Sequence, residues 1–166
     1  SDSIYKFMME RLKAYYKDAN IDSSVYEAVL AVKPNSPFDF HLRVDALNEF
    51  IQSADSKSLI ESNKRIANIL KDSTENHSEL VSKMLVEDSE KNLYKATELL
   101  SKQLLDKQDY KTIMRSLLDL KGVIDAFFDN VMVNTEDLEV REARLALISR
   151  VRALFLSVAD ISHLSS

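Results

Sequence analysis

The sequence has 166 residues, one glycine, two prolines, no cysteine and a formal net charge of −5. That length fits one domain over residues 1–166, or two small helical sub-bundles over 1–72 and 80–166, with roughly 70% of the unfolded surface buried and no need of a staple. Missing thiols exclude disulfides and thiolate metal sites, scarce glycine and proline exclude a many-stranded sheet, and the acidic balance argues against a general nucleic-acid binder while permitting a local basic face.

The periodicity is that of an all-α helical bundle. A first helix is expected over about Ser3 to Lys17, with Ile4, Phe7, Met8, Leu12, Tyr15 and Tyr16 as its apolar stripe. A second starts at the Asp22/Ser23 cap and carries Val25, Val29 and Leu30. Lys33-Pro34-Asn35-Ser36-Pro37 breaks it, because proline lacks the amide proton and biases its predecessor away from helix. Ser36 caps a third helix with Pro37 in its first turn, running to about Ser53 and burying Phe40, Val44, Leu47 and Ile51.

A fourth helix opens near Asp55 and reaches Lys71, with Leu59, Asn63, Ile66 and Leu70 along one face. Lys57, Lys64, Asn68 and Lys71 share another face, within about 40° of one line. From Asn63 to Lys71 there are three basic residues and no acidic one. Such a face is either simply solvated or a polar recognition surface, since Asn and Arg offer directional donors. Asp72 to Glu79 reads as a loop, followed by a short helical turn with Leu80, Met84 and Leu85. A fifth helix is expected over Ser89 to Lys107, facing inward with Leu93, Ala96, Leu100 and Leu104. Asp109 caps a sixth, with Ile113, Leu117 and Leu118, ending near Gly122; Ile124, Phe127, Phe128 and Val131 make a seventh.

Asn134 or Thr135 is expected to cap the last helix, whose Leu147, Val151, Leu154, Val158 and Ile161 form a core stripe. Arg141, Arg144 and Arg152 lie together on one flank, about 100° from that stripe. They suit either pairing with helix carboxylates or binding an anionic ligand.

No catalytic constellation emerges. His41, His77 and His163 lack metal-ligand spacing, and there is no nucleophile motif or glycine-rich phosphate loop. No apolar run approaches the roughly 18 residues of a membrane span, so no membrane partner is expected and a reducing cytoplasm is the natural setting. The start at Ser1-Asp2-Ser3, without an initiator methionine, reads as part of a longer polypeptide.

Several collinear blocks carry a resemblance. Val123-Ile124-Asp125-Ala126-Phe127-Phe128-Asp129-Asn130-Val131-Met132-Val133, Arg144-Leu145-Ala146-Leu147, Arg152-Ala153-Leu154-Phe155-Leu156 and Val158-Ala159-Asp160-Ile161-Ser162 stand in the last third. Upstream lie Glu27-Ala28-Val29-Leu30-Ala31, Asp39-Phe40 with Arg43, and Asn63-Lys64-Arg65-Ile66-Ala67-Asn68-Ile69-Leu70. In this order they resemble the C-terminal part of the β subunit of bacterial-type glycyl-tRNA synthetases. The last helix is also similar to the DALR-type anticodon-binding domains of class I synthetases such as the arginyl enzyme. The sequence departs from the family pattern at Gly122, where proline is common, and in a more acidic stretch from Asp72 to Glu90.

The resemblance implies a non-catalytic anticodon-binding module of a larger β subunit, with tRNA-Gly as partner, in an assembly of two α and two β subunits. ATP and glycine would be used by the α subunit, leaving this part without a cofactor. Every glycine anticodon carries two cytosines, each offering an amine donor beside ring-nitrogen and carbonyl acceptors. RNA loops are read by splaying and stacking bases and bonding their edges. Lys64, Arg65 and Asn68 on the fourth helix, and Arg141, Arg144 and Arg152 on the last, are the candidate RNA contacts, with neighbouring Asp or Glu as amine acceptors. The competing expectation is a helical docking module whose apolar stripes meet the rest of the synthetase or another protein.

Overall fold

The computed structural model describes residues 2–72, 82–104 and 109–165. The expected loop beyond Asp72, Leu80 of the short turn, and the end of the fifth helix past Leu104 lie outside them. The order is α1 (Asp2–Asp18), α2 (Ser23–Leu30), α3 (Pro37–Phe50), α4 (Ser56–Lys71), a 3-10 turn at Ser82–Met84, α5 (Asp88–Leu104), α6 (Tyr110–Leu118), α7 (Lys121–Asn130), α8 (Leu138–Leu156) and a 3-10 turn at Ile161–His163. Among the described residues there is no strand.

Local chemistry sets the starts. The Asp22, Ser36 and Asp109 side chains accept from the backbone N–H of Ser24, Asp39 and Thr112, so each occupies an orphan donor of a first turn. Asp137, rather than Asn134 or Thr135, caps α8, accepting from the Glu139 and Val140 amides. α6 ends at Leu118, and Gly122 sits in the first turn of α7 with φ outside the left-handed region. α8 ends at Leu156; Val158 and Ile161 are buried, but from the turn that follows rather than from the helix.

α1 packs on α2, α2 on α3, and α3 on α6, while α4 lies against α7, α8 and the C-terminal 3-10 turn, and α5 against α7 and α8. Buried residues from Met9 to Leu164 form one connected cluster. α8 runs through it, burying Ala143 to Ile148, Val151, Leu154 and Phe155. α1 turns a different face inward than its stripe suggested. Met9 and Tyr16 are buried with Tyr5 and Leu12 partly so, whereas Ile4, Phe7 and Tyr15 are 62%, 59% and 59% exposed. Both faces of α1 are apolar, and a four-three spacing through Tyr5, Met9, Leu12 and Tyr16 is what meets α2 and α3. The Tyr26 hydroxyl anchors this face by donating to the Met9 carbonyl, and Tyr16 stacks on Phe40.

The C-terminal tail is stitched back across the bundle. The Asp160 amide donates to the Ala28 carbonyl, and the Arg43 guanidinium donates to the Ser157 and Val158 carbonyls just beyond α8. A cation there meets the negative end of the helix.

A methyl group added at Gly122 would meet no atom within 4 Å. Gly122→Ala should therefore stabilise the protein by about 0.5–1 kcal/mol, through lower chain entropy in the unfolded state. Thermal unfolding should show a midpoint raised by about 2 °C.

Candidate nucleic-acid interface

The six candidate contacts differ in how far their side chains are already engaged within the chain. α4 carries Lys64 half-buried, with Arg65 and Asn68 exposed. Its inward face is Leu59, Ile60, Asn63 and Ile66. Asn63 is 0% exposed and its Nδ2 donates to the Leu59 carbonyl, so this asparagine belongs to the core side and not to the recognition face. Arg65 lies over the ring of Phe128 on α7, its Cζ 4.4 Å from the ring centroid. Two turns earlier on α4, the Ser58 hydroxyl donates to Asp125, which also receives Lys121, so α7 is held against α4 beside that stack.

The arginine flank of α8 is engaged within the chain. Arg144 is only 8% exposed; its Nε and Nη2 lie 2.8 and 2.7 Å from Oε1 of Glu90, which is 0% exposed, and its Nη1 donates to the Met132 carbonyl. Arg152 grips Asp160 with two donors at 3.1 and 2.9 Å. Arg141 is half-buried and has no ion pair or hydrogen-bonded side-chain partner among the described residues. The nearby Arg150, also on α8, pairs with Glu98 at 2.7 Å and lies over Tyr94. Among the described residues no hydrogen bond, ion pair or ring contact joins Arg141 to the α4 face.

Asp160 is pulled in two directions. Burial raises its pKa, but hydrogen bonds from Arg152 and Ser162 and the charge of Arg152 outweigh that and leave it below the ordinary 3.8. His163 stands 3.6 Å from the same carboxylate.

The site thus separates into a solvent-facing set on α4, backed by Phe128, and a braced set on α8. Phe128 was expected only as packing. A phenylalanine next to a fully buried Phe127 carries no sign of which ring will meet an arginine from another helix. Among the described residues no group of three or more His, Cys, Asp or Glu side chains is placed to hold a metal ion, and no helix is long and apolar enough to cross a membrane.

The structure is thus an all-helical body whose exposed basic side chains on α4 lie beside an aromatic ring of α7. The sequence profile of the DALR anticodon binding domain matches residues 59–161, from the first turn of α4 to the final 3-10 turn, and the chain belongs to that family. Its relatives point to one kind of synthetase. It is 40% identical over 164 residues to the glycine--tRNA ligase beta subunit of Haemophilus influenzae (strain PittGG), covering 97% of this chain and 24% of that protein. The glycine--tRNA ligase beta subunit of Pseudomonas aeruginosa (strain LESB58) is 39% identical over 168 residues, 99% of this chain and 25% of that protein. That of Actinobacillus succinogenes (strain ATCC 55618 / DSM 22257 / CCUG 43843 / 130Z) is 41% identical over 167 residues, 98% and 24%. The chain thus spans about a quarter of the length of the curated relatives it matches.

Removing Arg144 strands a buried carboxylate. Arg144→Ala should cost about 3–5 kcal/mol in urea unfolding, and pairing Arg144→Met with Glu90→Leu should restore most of it, because the second change removes the orphaned charge. Acid should also loosen the C-terminal lock. The folded pKa of Asp160 is depressed, so its contribution is full above 3.8 and is lost as pH falls through the lower folded value. Unfolding midpoints taken from about pH 6 to about pH 2 should fall less steeply in Asp160→Asn than in the parent.

Proposed function

We propose that this chain recognises the anticodon region of a glycine tRNA and leaves glycine, ATP and the ligation chemistry to the rest of a larger, cytoplasmic ligase. In this reading it belongs to a β subunit that assembles with α subunits as two of each. The contact set is Lys64, Arg65 and Asn68 on α4, joined by Arg141 on α8. Arg144 and Arg152 serve it from behind, by fixing α8 against α5 and the C-terminal turn. The single observation that carries the reading is the exposed Arg65 placed over the ring of Phe128, its Cζ 4.4 Å from the ring centroid. A planar cation backed by an aromatic ring is a ready surface for a splayed base.

A second reading has its own observation. Ile4, Phe7 and Tyr15 put a second apolar face of α1 in solvent, where it would suit packing against the remainder of a longer β subunit. The two readings use opposite parts of the chain order and are compatible.

Filter binding of tRNA-Gly, and of versions with each anticodon cytosine replaced, tests the first. Lys64→Ala and Arg141→Ala should each weaken binding and lower the salt slope by about 0.7 per lost phosphate contact, the value for single strands. Arg65→Ala should also reduce discrimination against replaced cytosines. Unchanged affinity in all three variants would remove these residues from the interface.

A further inference from the structure

Lys57, Lys64 and Lys71 recur at seven-residue intervals along α4. They fall within about 40° of one line and about 10 Å apart along the helix axis. Lys57 and Lys71 are exposed and Lys64 is half-buried, and none of the three has an ion pair or hydrogen-bonded side-chain partner among the described residues. A row of unpaired ammonium groups spanning about 20 Å matches roughly six stacked nucleotides at about 3.4 Å each. Arg65 stands about 100° round the helix from Lys64, and its stack on Phe128 closes the far side of the strip.

Two exposed residues, Glu61 and Asn68, lie between the lysine row and Arg65. Glu61 precedes Lys64 by three residues and Arg65 by four, the spacings at which helix side chains are neighbours. Yet among the described residues it forms no ion pair or hydrogen bond through its side chain, and the neighbouring acid Asp125 is held by Lys121 and Ser58. Glu61 is therefore an uncommitted carboxylate standing between the lysine row and Arg65. That combination distinguishes the two pyrimidines. Cytosine presents an exocyclic amine, which a carboxylate accepts; uracil presents a carbonyl there, which it repels.

We propose that a single-stranded RNA segment lies along α4 with its phosphates against Lys57, Lys64 and Lys71, and that Glu61 accepts the exocyclic amine of a cytosine stacked on the Arg65–Phe128 pair. This rests on the anticodon reading and adds to it the residue that tells cytosine from uracil.

The test titrates the chain with RNA hairpins whose loops carry two adjacent cytosines, or uracil at one or the other position. The parent should prefer cytosine at one position by about tenfold, and Glu61→Gln, whose amide donates to the uracil carbonyl, should erase or reverse that preference. Lys57→Ala and Lys71→Ala should weaken all hairpins alike and lower the salt slope by about 0.7 each, the value for single strands. These three sites are exposed, and circular dichroism should show unaltered helix content. If the parent discriminates and Glu61→Gln keeps the same ratio, the assignment of Glu61 falls while the anticodon reading stands. If both lysine variants keep the parent's salt slope, the phosphate row falls. A parent chain that binds cytosine and uracil hairpins equally would overturn both the inference and the reading beneath it.

Discussion

The ion pair between Arg144 and Glu90 is the constraint on which the arrangement of the second half depends. Glu90 has no solvent contact, so its charge is tolerable only with a partner of fixed geometry. Arg144 supplies two donors to one carboxylate oxygen and a third to the Met132 carbonyl. One side chain thereby ties α8 to the start of α5 and to the segment leaving α7. Well-packed apolar residues often hold helices about as firmly as a buried ion pair, so what the pair adds most distinctly is a fixed register between them.

Two more arginines do the same at the far end of α8. Arg152 holds Asp160, whose amide reaches α2, and Arg43 donates to the carbonyls at the end of α8 while lying 4.5 Å over Tyr110 of α6. The planar guanidinium suits this work, because its fork satisfies several acceptors from one buried stem. α8 is therefore fixed at both ends by charge and in its middle by Leu147, Ile148 and Val151. With α8 rigid, α7 is set against α4, and Phe128 comes to lie beneath Arg65.

Much of this was legible in the residues. The capping side chains Asp22, Ser36 and Asp109 announce their helices, since a short oxygen acceptor before an apolar run has one economical use. The α8 core stripe follows directly from its four-three spacing. The inward face of α1 did not, because Ile4, Phe7 and Tyr15 repeat as regularly as Tyr5, Met9, Leu12 and Tyr16. Periodicity measures amphipathicity, and α1 is apolar on two sides. The role of the α8 arginines was likewise open. Arg141, Arg144 and Arg152 share a flank by helical geometry, but which of them meets a carboxylate depends on Glu90 and Asp160, one from another helix and one beyond the helix end. Intra-helix spacing carries no information about such long-range partners.

The same partition explains how a chain of net charge −5 can present a basic strip. Among the described residues, Arg43, Arg115, Lys121, Arg144, Arg150 and Arg152 are matched with Asp39, Glu49, Asp125, Glu90, Glu98 and Asp160. Each of these pairs is nearly neutral when seen from a Debye length away, about 8–10 Å at ordinary ionic strength. Along α4 the unmatched side chains are Lys57, Lys64, Arg65 and Lys71 against Glu61, with the exposed acids Asp55 and Asp72 at its two caps. Net charge sums the whole chain, whereas a phosphate at the surface of α4 responds chiefly to the charges near it. The strip is cationic for that reason, and Glu61 stands out within it chemically.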